Sequence, residues 1–345
     1  MVAVYNKDVE SLAADERIPW DSFQDKRVLV TGATGLVGGL CARTLAYRVG
    51  HHDAGIQVIL PVRDLEVARK KFLGCASADF VHWDATQDSA LLPECDYIIH
   101  CACPTDSAFM VEHPVQTIDA IVTGTRSMLE LARRCSARMC YVSSMEVYGS
   151  GSDETLDEQC GGRLDAMNVR SSYPQAKQLA ETLCAAYASQ YDTDACVARL
   201  AQTFGPGIRN DDRRVFAEFA RRCVAGEDIV LLTDGSKSNM YVYTADAVRA
   251  LLMLVARGEA GAAYNVANPQ TFCSVYEMAR MVASRFGTSS DVRRVVNPDA
   301  ARRFATSGRI YMDVTRMREM GWEPEVDLAG MYERLLDSWS EENNE

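Results

Sequence analysis

The segment "KRVLVTGATGLVGGLCARTLAYRVG", Lys26 to Gly50, limits the fold more than any other part of this chain. A short β-branched run leads into a glycine turn and then into a helical pattern. Gly32, Gly35 and Gly38 fall in the spacing T-G-x-x-G-x-x-G. The first glycine allows the tight turn. The second lets backbone N–H groups approach a pyrophosphate at the helix N-terminus, and the third lets helix and strand close up. The strand before and the helix after are the context that gives such a motif meaning. We therefore read a dinucleotide site here in preference to a plain structural turn.

The same alternation continues along the first half. "IQVILPV" reads as a strand, "LEVARKKFLG" as a helix, and "ADFVHWD" and "CDYIIHCACP" as strands. A long helix, "HPVQTIDAIVTGTRSMLELARRC", leads to the strand "RMCYVSS", whose buried part runs from Met139 to Val142. Strands alternating with helices imply an α/β fold with a doubly wound parallel sheet. Ligands gather at the carboxyl ends of such strands. With 345 residues, 48% of them hydrophobic, the chain accommodates one large α/β unit and a smaller lobe. The expected division is an acidic extension over 1–25, a dinucleotide-binding domain over 26–200, and a substrate lobe over 201–340.

Composition excludes several classes. No run of eighteen apolar residues occurs, so no membrane span is expected, and the acidic N-terminus lacks the apolar core of a signal peptide. The twelve cysteines include no C-x-x-C and no Cys/His cluster at metal spacing. Most sit in apolar runs, which suits reduced thiols in the cytoplasm. A formal charge of -12 argues against nucleic acid.

The end of the second strand bears on NAD against NADP. Arg63 in "LPVRD", with Lys70 further on, can face the additional 2′-phosphate of NADP, whereas Asp64 is the acidic alternative for the ribose hydroxyl of NAD. We read NADP ahead of NAD. Asp84, after the third strand, can bond the adenine amino group or serve as a turn residue.

The chemistry lies in "YVSSMEVYGS" and "SSYPQAKQLAET". Pro174 suits a first helical turn, and the four-residue spacing puts Tyr173 and Lys177 on one face. A nearby cation favours the phenolate, so Tyr173 can act as a base. Ser144, at a strand end, can bond the same substrate oxygen. Together they form a device for removing a proton from an alcohol while hydride leaves for a nicotinamide.

"TGATGLVG", "VSSMEVYG" and "YPQAK" together resemble the extended short-chain dehydrogenase/reductases that act on nucleotide sugars. The resemblance runs from about Arg27 over nearly the whole chain. "IIHCACP", "SSYPQAKQLAETLC", "GPGIRNDDRRVFAEFARR" and "MDVTRMREMGWEPEVDL" are similar to the UDP-glucuronate decarboxylase branch. It implies that Tyr173 takes the sugar 4-hydroxyl proton while hydride passes to the cofactor, that Lys177 holds the nicotinamide ribose, and that the 4-keto sugar goes on to further chemistry before the hydride returns. It implies cofactor contacts from Gly32, Thr34, Gly35, Leu36, Val37, Gly38, Arg63, Asp84, Ala85, Ala102, Tyr173 and Lys177. Substrate contacts are implied for Pro104, Ser144, Arg209, Arg214 and Asn239, and a homodimer through helices near 115–134 and 174–190. Glu146 stands where dehydratases and decarboxylases carry a glutamate that acts at carbon 5 or steers the ring.

Three positions depart from that pattern. Met145 replaces the acid of 4,6-dehydratases and cannot donate a proton. Asn239 stands where an arginine usually grips the diphosphate or sugar, and it lacks the fork of a guanidinium. Lys237, Arg209, Arg213, Arg214 and Arg309 are the available replacements. Ile121 takes the place of an asparagine in the helix before the active strand. Further on, Asp246 is expected to cap a helix, and "AYNVANPQTFCSVYEMARMVA" reads as strand, turn, helix starting at Thr271 or Ser274.

Overall fold

The computed structural model describes residues 3–52, 54–73, 77–287, 291–297 and 308–342. Strands β1 (Arg27–Thr31), β2 (Gln57–Val62), β3 (Ala78–His82), β4 (Tyr97–His100), β5 (Arg138–Ser144) and β6 (Ala195–Leu200) lie parallel in one sheet. The chain then leaves for β7 (Gln202–Phe204), β8 (Ile229–Leu231) and β9 (Ser238–Tyr243). It returns to the main sheet as β10 (Ala263–Val266) and continues as β11 (Asn268–Ser274) and β12 (Val292–Arg294). The main sheet has the order β10-β6-β5-β4-β1-β2-β3 among the described residues. Strand succession reverses direction between β1 and β4, and a crevice opens there at the carboxyl ends.

The helices are α1 (Ala3–Ala13), α2 (Leu36–His52), α3 (Leu65–Lys71), α4 (Ser107–Glu112), α5 (Pro114–Cys135), α6 (Ser172–Tyr191), α7 (Val215–Val224), α8 (Thr244–Arg257) and α9 (Val275–Phe286), with shorter and terminal pieces beyond. Strand alternation sends Val28, Val30, Ile99, Cys140 and Ala198 to one core, under α2 and α8. It sends Leu29, Ile98, Met139 and Val197 to the other, under α5 and α6. Both faces of the sheet are covered, and this explains why its strands read as nearly continuous apolar runs. None of the described helices is long and apolar enough to cross a membrane.

Two segments tie the sheet to the smaller lobe. β6 passes through Ala201 into β7, and β10 passes through Ala267 into β11, so each changes sheet within one residue. β11 and β7 flank β9 in a three-stranded sheet. The stretch expected as a turn between Val266 and the following helix is thus itself a strand. Ser274 starts α9 with a capping box closed by Glu277, whereas Thr271 is buried and bonded to Tyr241 across the strands.

Asp246 does not cap α8, because Tyr243 occupies the cap position. Its carboxylate instead accepts from Glu325 N, Val326 N and the Arg249 guanidinium (3.0, 3.2 and 2.7 Å). Arg249 also donates to Asp15, and Tyr243 donates to Asp8 at 2.5 Å. These bonds clamp the N-terminal extension to α8, and Arg48 of α2 donates to Ala13 O at the end of α1 at 2.9 Å.

Candidate active site

The glycine loop fits a dinucleotide on steric grounds. Gly32 has φ +68, in the left-handed region that favours glycine. A Cβ on it would lie 2.9 Å from Ala102 N, and one on Gly38 would lie 2.5 Å from Gly32 O. Strand β4 therefore presses against the loop, and α2 starts directly over the end of β1. Thr31 Oγ1 accepts from Ala102 N at 3.1 Å and pairs with the buried His100 ring at 2.7 Å. Thr34, Leu36 and Val37 are half-buried around this cradle. Lys71 donates to Thr34 O at 2.7 Å and braces the loop from outside.

At the adenosine end, Asp64 serves as the N-cap of α3, its Oδ1 accepting from Glu66 N and Val67 N. Arg63 is exposed. Asp84 accepts from Thr86 N and Oγ1 at 2.9 and 2.6 Å. Burial works to raise its pKa, but the Thr86 bonds and the charge of Arg63 outweigh it and hold the carboxyl below its usual range. Ala85 packs against Gly124 of α5, where a Cβ would come within 3.0 Å.

The strand end and α6 bring the chemical groups together. Lys177 is 2% exposed and donates to Val142 O at 2.7 Å. Its ammonium sits 4.7 Å from the centre of the Tyr141 ring and 5.8 Å from that of Tyr173. Ser144 hydroxyl is close enough to the Tyr173 phenol to lower its pKa, and it accepts from Glu146 N at 3.2 Å. Burial raises the Tyr173 pKa, and Lys177 pulls it down without overcoming that effect. Burial also works to lower the Lys177 pKa, yet Cys103 and Tyr173 hold it above its usual value. Glu146 is exposed on the short turn after Ser144, and its charge acts on Tyr173.

Sequence reasoning missed Cys103, whose thiol lies against Lys177. The signal was present, since "CACP" sits at the carboxyl end of β4 with Ala102 and the half-buried Pro104. It also missed Glu181, one turn beyond Lys177 on the same face of α6. Glu181 takes a 2.5 Å bond from Ser143 and a 2.7 Å ion pair from Arg199. Met145 and Ile121 are buried core residues, at 2% and 1% exposure.

Among the expected substrate residues, Arg209 pairs with Asp211, and its charge reaches Lys71 at the glycine loop. Arg214 pairs with Asp212 at 2.7 Å. Arg309 donates to the carbonyls of Asp153 and Glu154. Asn239 is buried, and among the described residues its Oδ1 has no partner. Lys237 is half-buried and close enough to Glu146 and Arg170 to feel their charges. No cluster of three or more metal-ligating side chains occurs among the described residues.

A side-chain set of this kind can take a proton from an alcohol. Residues 28–267 match the model of the NAD dependent epimerase/dehydratase family. The chain is 34% identical over 307 residues to UDP-glucuronic acid decarboxylase 3 of Arabidopsis thaliana, covering 88% of this chain and 85% of that protein. It is 32% identical to UDP-glucuronic acid decarboxylase 5 of the same plant, covering 88% and 86%. Two solved structures share the fold. An epimerase from Methanothermobacter thermautotrophicus superposes with a TM-score of 0.78 at 24% identity, covering 94% of this chain and 95% of that one. A dTDP-glucose 4,6-dehydratase from Streptomyces venezuelae, solved with NAD, gives 0.77 at 22% identity, covering 92% and 98%. This chain belongs to the NAD dependent epimerase/dehydratase family, with an extended short-chain dehydrogenase/reductase fold.

Proposed function

We propose that the chain converts a nucleotide sugar without net oxidation, through a transient 4-keto sugar, as a decarboxylase of UDP-glucuronate or a close analogue. The observation that carries this reading is the meeting of Ser144, Tyr173 and Lys177 with Glu146 at the mouth of the glycine-loop crevice. The likeness to UDP-glucuronic acid decarboxylases supports it. Tyr173 oxygen receives the proton of the 4-hydroxyl, and Ser144 holds that oxygen in place. Lys177, fixed by Val142 O, keeps its charge beside the phenol and opposes the effect of burial. A dinucleotide held at the glycine loop would supply a nicotinamide able to accept the carbon 4 hydride and return it.

With carbon 4 a ketone, a carboxylate on carbon 5 is β to the carbonyl. Its C–C bond breaks with release of carbon dioxide, the electron pair passes into an enolate, and a proton then replaces the carboxylate. Glu146 steers the ring during this step. The buried thioether of Met145 cannot protonate a departing 6-hydroxyl, and this disfavours 4,6-dehydration. NADP remains ahead of NAD in this reading, supported by the exposed Arg63 near Asp84 and by the use of Asp64 as a helix cap. The same observation favours a second reading, an NADPH-dependent reductase of a small carbonyl compound. Exposed Val115 and Ile118 on α5 and Leu179 on α6 support association of two copies through those helices.

The test is to incubate the purified protein with UDP-glucuronate, follow carbon dioxide, and identify by mass spectrometry the dinucleotide released on denaturation. Tyr173→Phe is expected to abolish turnover and keep its dinucleotide. Glu146→Gln is expected to accumulate reduced cofactor without carbon dioxide. Unchanged turnover in Tyr173→Phe would sink the mechanism, and loose NADPH that exchanges each cycle would favour the reductase.

A further inference from the structure

Helix α1 lies outside the segment 28–267 that matches the family model, yet it reaches the edge of the dinucleotide crevice. The meeting point is the loop after β7, Gly205 to Arg209. A Cβ on Gly207, whose φ is +93, would lie 3.4 Å from Leu36 Cδ1 and 3.1 Å from Tyr5 Cε2. One on Gly39 would lie 3.9 Å from the Tyr5 hydroxyl. The Tyr5 ring thus fills the angle between this loop and the first turn of α2. Leu36 opens α2, the helix whose N-terminal N–H groups suit a pyrophosphate. The loop is therefore a wall beside that helix end.

Three further contacts fix the same wall. Tyr243 donates its hydroxyl to Asp8 of α1 at 2.5 Å, and its ring presses on Gly205, where a Cβ would come within 2.7 Å of Cε2. Trp339, on the C-terminal helix Leu328–Glu342, donates its indole N–H to Ile208 O at 2.7 Å. Ala3 N donates to Glu341 of that helix at 2.6 Å and ties the two helices together.

We propose that α1 and the C-terminal helix form a strap that holds the 205–209 loop against the start of α2, with Tyr5 as a positioning residue, and that this strap slows release of a bound dinucleotide. The inference rests on the dinucleotide reading of the glycine loop and is independent of which substrate is turned over. Release needs the wall to move off Leu36. Contacts made only while the loop is closed lower the population of the open state.

The experiment loads the full-length protein with NADH or NADPH, chases with excess oxidised dinucleotide, and follows nicotinamide fluorescence. Tyr5→Ala takes the ring from the loop, and Trp339→Phe removes the bond to Ile208 O. Each should speed release by roughly fivefold or more, as expected for coupling between two sites. Tyr5→Phe keeps the ring and should release close to the wild-type rate. Leu92→Ala opens a cavity in the other core and is the control for general loss of stability, with release unchanged. Hydrogen exchange of the dinucleotide-free proteins is a second readout. The 205–209 segment should lose protection in Tyr5→Ala and Trp339→Phe, while β5 keeps it. Unchanged release in both variants, or equal acceleration in Leu92→Ala, overturns the strap and leaves the dinucleotide reading standing. If Tyr5→Ala does not fold, Trp339→Phe decides by the same criteria. A wild type that takes up neither dinucleotide removes that reading, and the inference with it.

Discussion

Replacing Arg199 with methionine tests how the sheet holds the catalytic helix. Arg199 on β6 and Glu181 on α6 are 12% and 11% exposed and form a forked pair, with Nε and Nη2 reaching the carboxylate at 3.1, 3.2 and 2.7 Å. Arg199 also donates to Tyr148 hydroxyl at 2.9 Å and Glu158 carbonyl at 3.0 Å. In Arg199→Met the Glu181 carboxylate keeps only the Ser143 hydroxyl. A buried charge left by its partner costs roughly 3–5 kcal/mol. The slight exposure of this pair puts the expected loss near the lower end, at about 3 kcal/mol. Equilibrium urea unfolding of the wild type, both single variants and Arg199→Met/Glu181→Met forms a double-mutant cycle. Removing both charges should recover most of the loss, since the cost comes from the orphaned ion and not from missing attraction. A single-variant loss below about 1 kcal/mol, with losses that simply add in the double variant, would refute the reasoning.

Gly38→Ala should leave the protein folded but strip it of dinucleotide, because the new Cβ would stand 2.5 Å from Gly32 O and open the loop; mass spectrometry of denatured protein reads this directly. Asp8 has its pKa pushed up to about 6 by burial, against the pull of Tyr243 and Arg334. A raised carboxyl pKa means that the protonated form stabilises the fold, so that contribution is complete below about pH 4 and lost as pH rises through about 6. From about pH 4 to 7 the wild type should therefore lose up to roughly 3 kcal/mol of unfolding free energy relative to Asp8→Asn. Parallel stability profiles for the two proteins would contradict this.

Most of the candidate site was legible because it rests on local spacing. The glycines of "TGATGLVG" need only a strand and a helix on either side. Tyr173 and Lys177 need only a helical turn between them. The same four-residue step continues to Glu181, which could have been read as a third member of that face. Cys103 was harder, since nothing in "CACP" shows that its thiol meets a lysine more than seventy residues later.

The sequence by itself determined the parallel sheet, the glycine loop and the spacing of Tyr173 and Lys177, because turns, caps and helix faces depend on neighbours a few residues away. Only the tertiary structure decided which distant segments met. It drew β10 from residues 263–266 to the edge of the main sheet, buried α8 between that sheet and the N-terminal helix, and turned Asp246 from a cap into an anchor for residues 325–326. The physical reason is that these contacts join segments far apart in the chain, and local spacing carries no record of which distant segments meet.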